Sequence, residues 1–231
     1  MRGWKRWALV SSVAVVALVV GGPFVYFHFI QGDAPAPLSI DTGTTTSGTG
    51  APTTALTTLD GTWKVASGSR AGYRITETVF GQSGTAVGRT SAITGQFTLA
   101  GARVPSASFS VDMTKVSSNK SLRDNQFQTR IMDTAQYPTA TFELTTPIAL
   151  GSVPADGVET APSATGKLTI HGTTRTVTIA LSAKRVGNVI DVGAAVPITF
   201  ADYGIDNPSG GPASVGNSGT LEFLLVLSKA S

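Results

Sequence analysis

From Leu59 to the end of the chain, short runs alternate apolar with polar residues and are broken by Gly, Pro, Asn or Asp, the period of strands that bury one face. The clearest runs are YRITETVF (73–80), SAITGQFTLAG (91–101), SASFSVDMTKV (106–116), TATFELT (139–145), GKLTIHG (166–172), TRTVTIALSAKRV (174–186), VIDVGAAVPITF (189–200) and GTLEFLLVLS (219–228), which predicts eight strands. Taking every second residue puts Tyr73 with Ile75, Phe97 with Leu99, Phe109 with Val111, Phe142 with Leu144, Leu168 with Ile170 and Ile198 with Phe200 on one face. Thr, Ser, Arg and Lys take the other. A sheet with one apolar face must bury it, and with little helix available it does so by packing on a second sheet or by closing into a barrel, which also removes exposed edges.

Two local signals add to this pattern. KLTIHGTTRTVTIAL predicts a hairpin with His171 and Gly172 in the turn. SLRDNQFQTRIMDTAQYPTATFEL (121–144) holds the one helical candidate: Ser121 and Asp124 suit a capping box, Phe127 and Ile131 share a face, and Pro138 blocks continuation. A short helix across one barrel end is expected there, held by caps and ion pairs of Arg123, Asp124 and Asp133.

The N-terminal part reads differently. Residues 8–30 carry no charge, and at about 1.5 Å per residue they would extend roughly 35 Å, enough to cross a bilayer core. Arg2, Lys5 and Arg6 precede this run, so residues 1–7 are expected as a cytoplasmic basic tail, 8–30 as a single transmembrane helix or uncleaved signal anchor, and the rest as extracytoplasmic. The run is long, continues through Phe24, Tyr26, Phe27 and Phe29 and lacks a clear A-x-A site, which favours an anchor over a cleaved signal peptide. His28 is read as an interfacial residue. Residues 31–58, rich in Thr, Gly, Ala and Pro, have the composition of a disordered linker that could carry O-linked sugars, and the folded domain is expected over 59–231.

Composition narrows the chemistry. Of the 231 residues 41% are apolar and only 13% charged, a balance that suits β-structure. The net charge of +3 is accounted for by the N-terminal tail, which leaves no basic stripe for nucleic acid. There is no cysteine, so disulfides and thiolate chemistry are excluded. One histidine outside the apolar run cannot supply a usual metal set, no G-x-S-x-G elbow accompanies it, and the Gly-rich 206–219 lacks the Lys-Ser/Thr ending of a phosphate cradle and reads as a rim loop. Asp124 and Asp133 read as helix-stabilising rather than catalytic. No catalytic residue, metal or cofactor is expected.

In order along the chain, GTWKV (61–65), SLRDNQF (121–127), DTAQYPTATFEL (133–144), GKLTIHGTTRTVTI (166–179) and ITFADYGI (198–205) resemble the YceI-like family of polyisoprenoid-binding proteins. Arg123-Asp124 and Tyr137-Pro138 keep the family pattern. Gln126-Phe127 stands where His-Leu is common, and Arg130-Ile131-Met132-Asp133 replaces an acidic-aromatic box. The resemblance implies an extended, eight-stranded, antiparallel, lipocalin-like β-barrel with one short helix. It also implies non-covalent binding of a long isoprenoid, of polyprenyl phosphate or quinone type, in the lumen. The residues expected to line the lipid are Tyr73, Ile75, Phe97, Phe109, Val111, Phe127, Ile131, Met132, Phe142, Ile198, Phe200 and Phe223. The protein is then a membrane-tethered lipid carrier or holder and not an enzyme. The alternative is a barrel filled by its own side chains that serves as an envelope scaffold or protein-interaction domain.

Overall fold

The computed structural model describes residues 34–40, 58–210 and 213–230. The strands are β1 Gly61–Val65, β2 Arg70–Val79, β3 Gln82–Thr90, β4 Ile93–Ala100, β5 Arg103–Asp112, β6 Thr139–Thr146, β7 Ile148–Ala149, β8 Glu159–Thr160, β9 Ser163–Ile170, β10 Thr173–Ala180, β11 Ser182–Val186, β12 Val189–Thr199, β13 Ala213–Val215 and β14 Ser218–Lys229. All pair antiparallel in one sheet of order β10-β9-β6-β5-β4-β1-β14-β12-β11-β8, with β2 branching from β14 and carrying β3 and β13, and β7 branching from β5. The sheet curls until β10 lies beside β12 without pairing to it. The all-β antiparallel reading holds, but the sheet is a curled half-barrel, and among the described residues fourteen strands stand where eight are expected.

The extra strands have physical reasons. β3 is invisible to an apolar-alternation reading because its inward positions are Gly84, Ala86, Gly88 and Thr90, paired across from Glu77, Ile75, Tyr73 and Ala71. The run 174–186 breaks at Leu181, whose N–H bonds Pro162 O at 2.9 Å, and becomes β10 and β11. The Gly-rich segment is only partly a loop: Ala213–Val215 pairs with β2. The predicted hairpin is present. His171 (φ 50°) and Gly172 (φ 72°) form a tight turn between the paired Ile170 and Thr173, the double positive φ of a type I′ turn. A Cβ on Gly172 would meet Tyr137 Cε1 at 2.5 Å, so glycine is required there twice over.

β14 pairs along one whole edge with β12. Its other edge is shared: Thr220–Leu224 pair with β2, and Leu227–Lys229 with β1. Where it passes from one partner to the other, the Ser69 hydroxyl accepts a 2.9 Å hydrogen bond from Val226 N–H and lies 2.9 Å from the Ala66 carbonyl, so the branch leaves no orphan amide there. Beside it Trp63 and Leu227 are fully buried, and Trp63 stacks on Phe97 at 6.3 Å.

The helix differs in detail. α1 spans Ser121–Gln126 and runs into a π-helical turn, Phe127–Ile131. Ser121 makes no cap. Lys120 is the N-cap and its side chain makes no capping hydrogen bond, while Asp124 Oδ1 accepts from Ser118 N–H at 2.7 Å. Asp133, at φ 39°, ends the element five residues before Pro138, and Arg123 pairs outside the segment, with Glu77.

The expected single-pass membrane placement is corrected. Among the described residues no helix is long and apolar enough to cross a membrane, and the run 8–30, with the tail 1–7 before it, lies outside the described residues. Of the expected linker, residues 34–40 are held against the outer face of the sheet, with Ile40 buried. The Pro35 carbonyl accepts from Arg74 Nη2 at 2.6 Å, the Ala36 carbonyl accepts from Arg89 Nη2, and Leu38 N–H donates to Glu222 Oε2 at 3.3 Å. Glu222 is only 2% exposed and also pairs with Arg74 at 3.3 Å and Arg89 at 2.8 Å. One carboxylate thus ties β14, β2, β3 and the 34–40 arm together.

Burial pushes the Glu222 carboxyl up, but hydrogen bonds from Arg89, from the Leu38 amide and from Arg74, with the Arg74 charge, outweigh it and hold the group below the ordinary carboxylate range. A lowered folded-state value means that ionised Glu222 stabilises the fold above the unfolded value, and that this contribution is lost as pH falls through the lowered native one. Glu222→Ala is expected to cost about 2–3 kcal/mol at neutral pH, somewhat less than a fully buried pair because both arginines keep some solvent. Urea unfolding at neutral and acid pH should show the variant losing less stability on acidification than the wild type. Parallel losses would remove Glu222 from this role.

Candidate functional site

Inward-facing side chains form two apolar clusters. One, at the helix end of the curled sheet, contains Phe127, Met132, Leu168, Ile170, Ile198 and Phe200. The other contains Trp63, Phe97, Leu99, Val104, Leu225 and Leu227 and extends toward the β11–β12 hairpin. A single cavity of about 810 Å³ runs between them, within the range of small-molecule sites.

All twelve residues expected to line a lipid border this cavity: Tyr73, Ile75, Phe97, Phe109, Val111, Phe127, Ile131, Met132, Phe142, Ile198, Phe200 and Phe223. Several of them, including Tyr73, Phe109, Phe142 and Phe223, are only half-buried although they point inward. Their free surface faces the lumen. The interior is therefore not filled by its own side chains, contrary to the alternative of a solid barrel.

The lumen stays open because small residues stand opposite large ones. Gly88 on β3 faces Tyr73, whose Cε1 would lie 2.3 Å from a Cβ at position 88, and Gly166 on β9 lies against Phe142, whose Cζ would be 2.5 Å away. These glycines give the rings somewhere to lie flat. Tyr73 is then sandwiched, stacking on Phe127 at 5.2 Å and 15°, which couples the helical segment to the sheet. Desolvation raises the Tyr73 phenol to about 12, with Arg123 pulling it down and Asp124 and Glu77 pushing it up, so it is a neutral hydrogen-bond donor at physiological pH.

Polar groups sit at the ends. At the helix end Arg123 Nη2 pairs with Glu77 Oε1 at 2.7 Å and its Nη1 donates to Asn119 Oδ1 at 2.9 Å, while Arg130 Nη2 donates to Pro208 O at 2.9 Å. Glu77 is an inward position of β2 and 8% exposed. Alternation in YRITETVF places it on the Tyr73 face, and that signal was available in the sequence. Leu122, 71% exposed, stands at this mouth. At the opposite end the cavity is bordered by Lys184 and Arg185 of β11 and by Val153, Pro154 and Val158 of the loop between β7 and β8, none of which the sequence pattern singled out.

The residues weighed for catalysis do not assemble. His171 is in its hairpin turn, edge-on to Tyr137 at 4.6 Å, and it does not line the cavity. Asp124 is used by Ser118, and Asp133 shapes the end of the helix. The arrangement offers a long apolar container with polar groups at both mouths, suited to holding an amphiphile.

Three solved structures share the fold. A polyisoprenoid binding domain from Saccharophagus degradans, implicated in plant cell wall breakdown, superposes with a TM-score of 0.59 at 17% identity, over 73% of this chain and 98% of that one. BcnA of Burkholderia cenocepacia gives 0.51 at 21% identity, over 67% and 95%. The YCEI protein of Campylobacter jejuni gives 0.52 at 15% identity, over 62% and 85%. No curated protein matches the chain. The model of the YceI-like domain matches residues 63–227, which spans both apolar clusters and most of the chain, and the protein belongs to the YceI-like family.

Proposed function

We propose that the chain binds a long isoprenoid lipid, non-covalently and without transforming it, with the tail in the lumen. The observation that carries this reading is the half-exposed aromatic wall: Phe109, Phe142 and Phe223 face inward yet retain free apolar surface along a cavity of about 810 Å³. Removing such surface from water is worth roughly 25 cal/mol per Å², so a slender hydrocarbon gains along its whole length, against the ordering costs of binding. The family, and the fold shared with a domain named for polyisoprenoid binding, support the same ligand class. A polyprenyl phosphate or a prenylated quinone both meet the requirement for a long branched tail and one polar end.

Native mass spectrometry with lipid extraction on the purified protein tests this directly. An isoprenoid bound one to one is the expected result, and an empty protein that also ignores added prenyl lipids would contradict it. Gly88→Val should push Tyr73 off Phe127 and narrow the lumen. We expect a stability loss of about 1–3 kcal/mol from overpacking, read by urea unfolding, together with weaker lipid retention. Unchanged retention would show that this part of the wall does not meet the tail.

A further inference from the structure

We propose that the helix end of the lumen is a membrane-docking face, on which Phe80 and Leu122 enter the interfacial layer of a lipid bilayer and the isoprenoid passes directly between bilayer and lumen. The inference rests on the lumen being the lipid site and adds where the lipid enters and from what phase.

Five large apolar side chains are exposed among the described residues, and all stand at one end or the other of the lumen. Val153, Val158 and Val186 are at the hairpin end, Phe80 and Leu122 at the helix end. Phe80 and Leu122 are the most exposed of the five, at 61% and 71%. Strand β2 runs from Ala71 in the far cluster, through Tyr73 and Ile75 in the helix-end cluster, to Glu77, which holds Arg123 of α1 at 2.7 Å. Phe80 lies about 10 Å further along the strand, and Leu122 directly precedes Arg123. The ion pair therefore sets both side chains at one mouth, where Val79 and Leu122 border the cavity itself.

Phe80 is an unexpected residue for its backbone. Val79 pairs with Gln82, and Phe80 (φ 49°) and Gly81 (φ 78°) make the two-residue turn between them, the type I′ geometry that favours Asn-Gly. A bulky side chain seldom occupies positive φ and is strained there. The ring gains little packing in return, since it is mostly exposed. A Cβ built on Gly81 would meet nothing within 4 Å, so the turn stands clear of the domain. An aromatic ring held out on a strained turn is explained by a partner outside the chain.

The lumen identifies that partner. Every methylene of a long isoprenoid adds to its preference for hydrocarbon over water, so its source and destination are bilayers. Aromatic and leucine side chains suit the bilayer interface, where rings sit at headgroup level. Lys120 and Arg130 border the same mouth, and long side chains of this kind lay their stems along the apolar layer and keep their charges among the headgroups. At the opposite end Val153 and Val158 share their loop with Asp156, whose side chain is 57% exposed and would have to enter the bilayer with them.

The test uses the purified full chain, phosphatidylcholine vesicles and geranylgeraniol as the probe. Residues 8–30 carry no charge and total vesicle binding does not discriminate, so the readouts are local to the mouth. In the wild type the rate of probe uptake from vesicles should rise in proportion to vesicle concentration. Phe80→Asn, which suits the turn, should keep or raise the melting temperature. It should slow uptake about 10-fold, the lower end of what burying one phenylalanine ring is worth, and leave occupancy at equilibrium within about 2-fold. Independently, with quenching of the parent's own tryptophans subtracted, Phe80→Trp should be quenched by brominated phosphatidylcholine and Val158→Trp should not. Uptake independent of vesicle concentration, uptake unslowed by Phe80→Asn, a lowered melting temperature in that variant, or quenching in Val158→Trp equal to or above that in Phe80→Trp would each overturn the proposal. A wild type that takes up no probe even at equilibrium would overturn the lumen reading itself.

Discussion

Strand β14 gives one edge to β12 and divides the other between β2 and β1, and the lumen depends on that division. Two sets of strands leave one edge in different directions, so the apolar face of the sheet wraps around a volume instead of lying flat against a second layer. The branch requires that the backbone between the two partners stay satisfied, and Ser69 does this at Val226. It also requires that the strands on the outside not slide, and Glu222 holds Arg74 of β2 and Arg89 of β3 against β14. The arm at residues 34–40 covers this ion cluster and adds backbone partners. Low exposure and multiple hydrogen bonds make the cluster a specific clamp, since a buried carboxylate is tolerated only with its partners in place.

Inside, the same sheet is built to remain open. Interiors normally close-pack, yet here the inward positions of β3 are small, and Gly88 and Gly166 let Tyr73 and Phe142 lie along the wall. Apolar surface left facing a cavity forgoes burial, and a ligand that supplies it stabilises the folded state by mass action. The binding and stability of this protein are therefore coupled: the residues that leave room for a lipid are the ones whose packing a lipid would complete.

Much of this was legible from the chain. Period-two alternation located the aromatic wall, because inward Phe, Tyr and Ile positions repeat every second residue, and all twelve candidates border the cavity. Strand β3 escaped because an inner face of Gly, Ala and Thr has no apolar contrast to read. Leu181 went unnoticed as a break because nothing in its own residue type marks one. The role of Arg123 was misplaced because its partner Glu77 is far along the chain, and charge pairs of that kind are set by topology. Glu222 has the same origin: reading Phe223 as inward already turns Glu222 outward, but only the fold shows that Arg74, Arg89 and the 34–40 arm meet it there.

The central claim, an apolar lumen that takes a slender isoprenoid along its length, is tested most directly by calorimetric titration with prenyl alcohols of increasing length, from geraniol through farnesol and geranylgeraniol to longer homologues. Affinity should rise with each added isoprene unit and then level off when the lumen is full, with a heat-capacity change that grows more negative over the same range. Affinity independent of chain length, with no such heat-capacity trend, would contradict it.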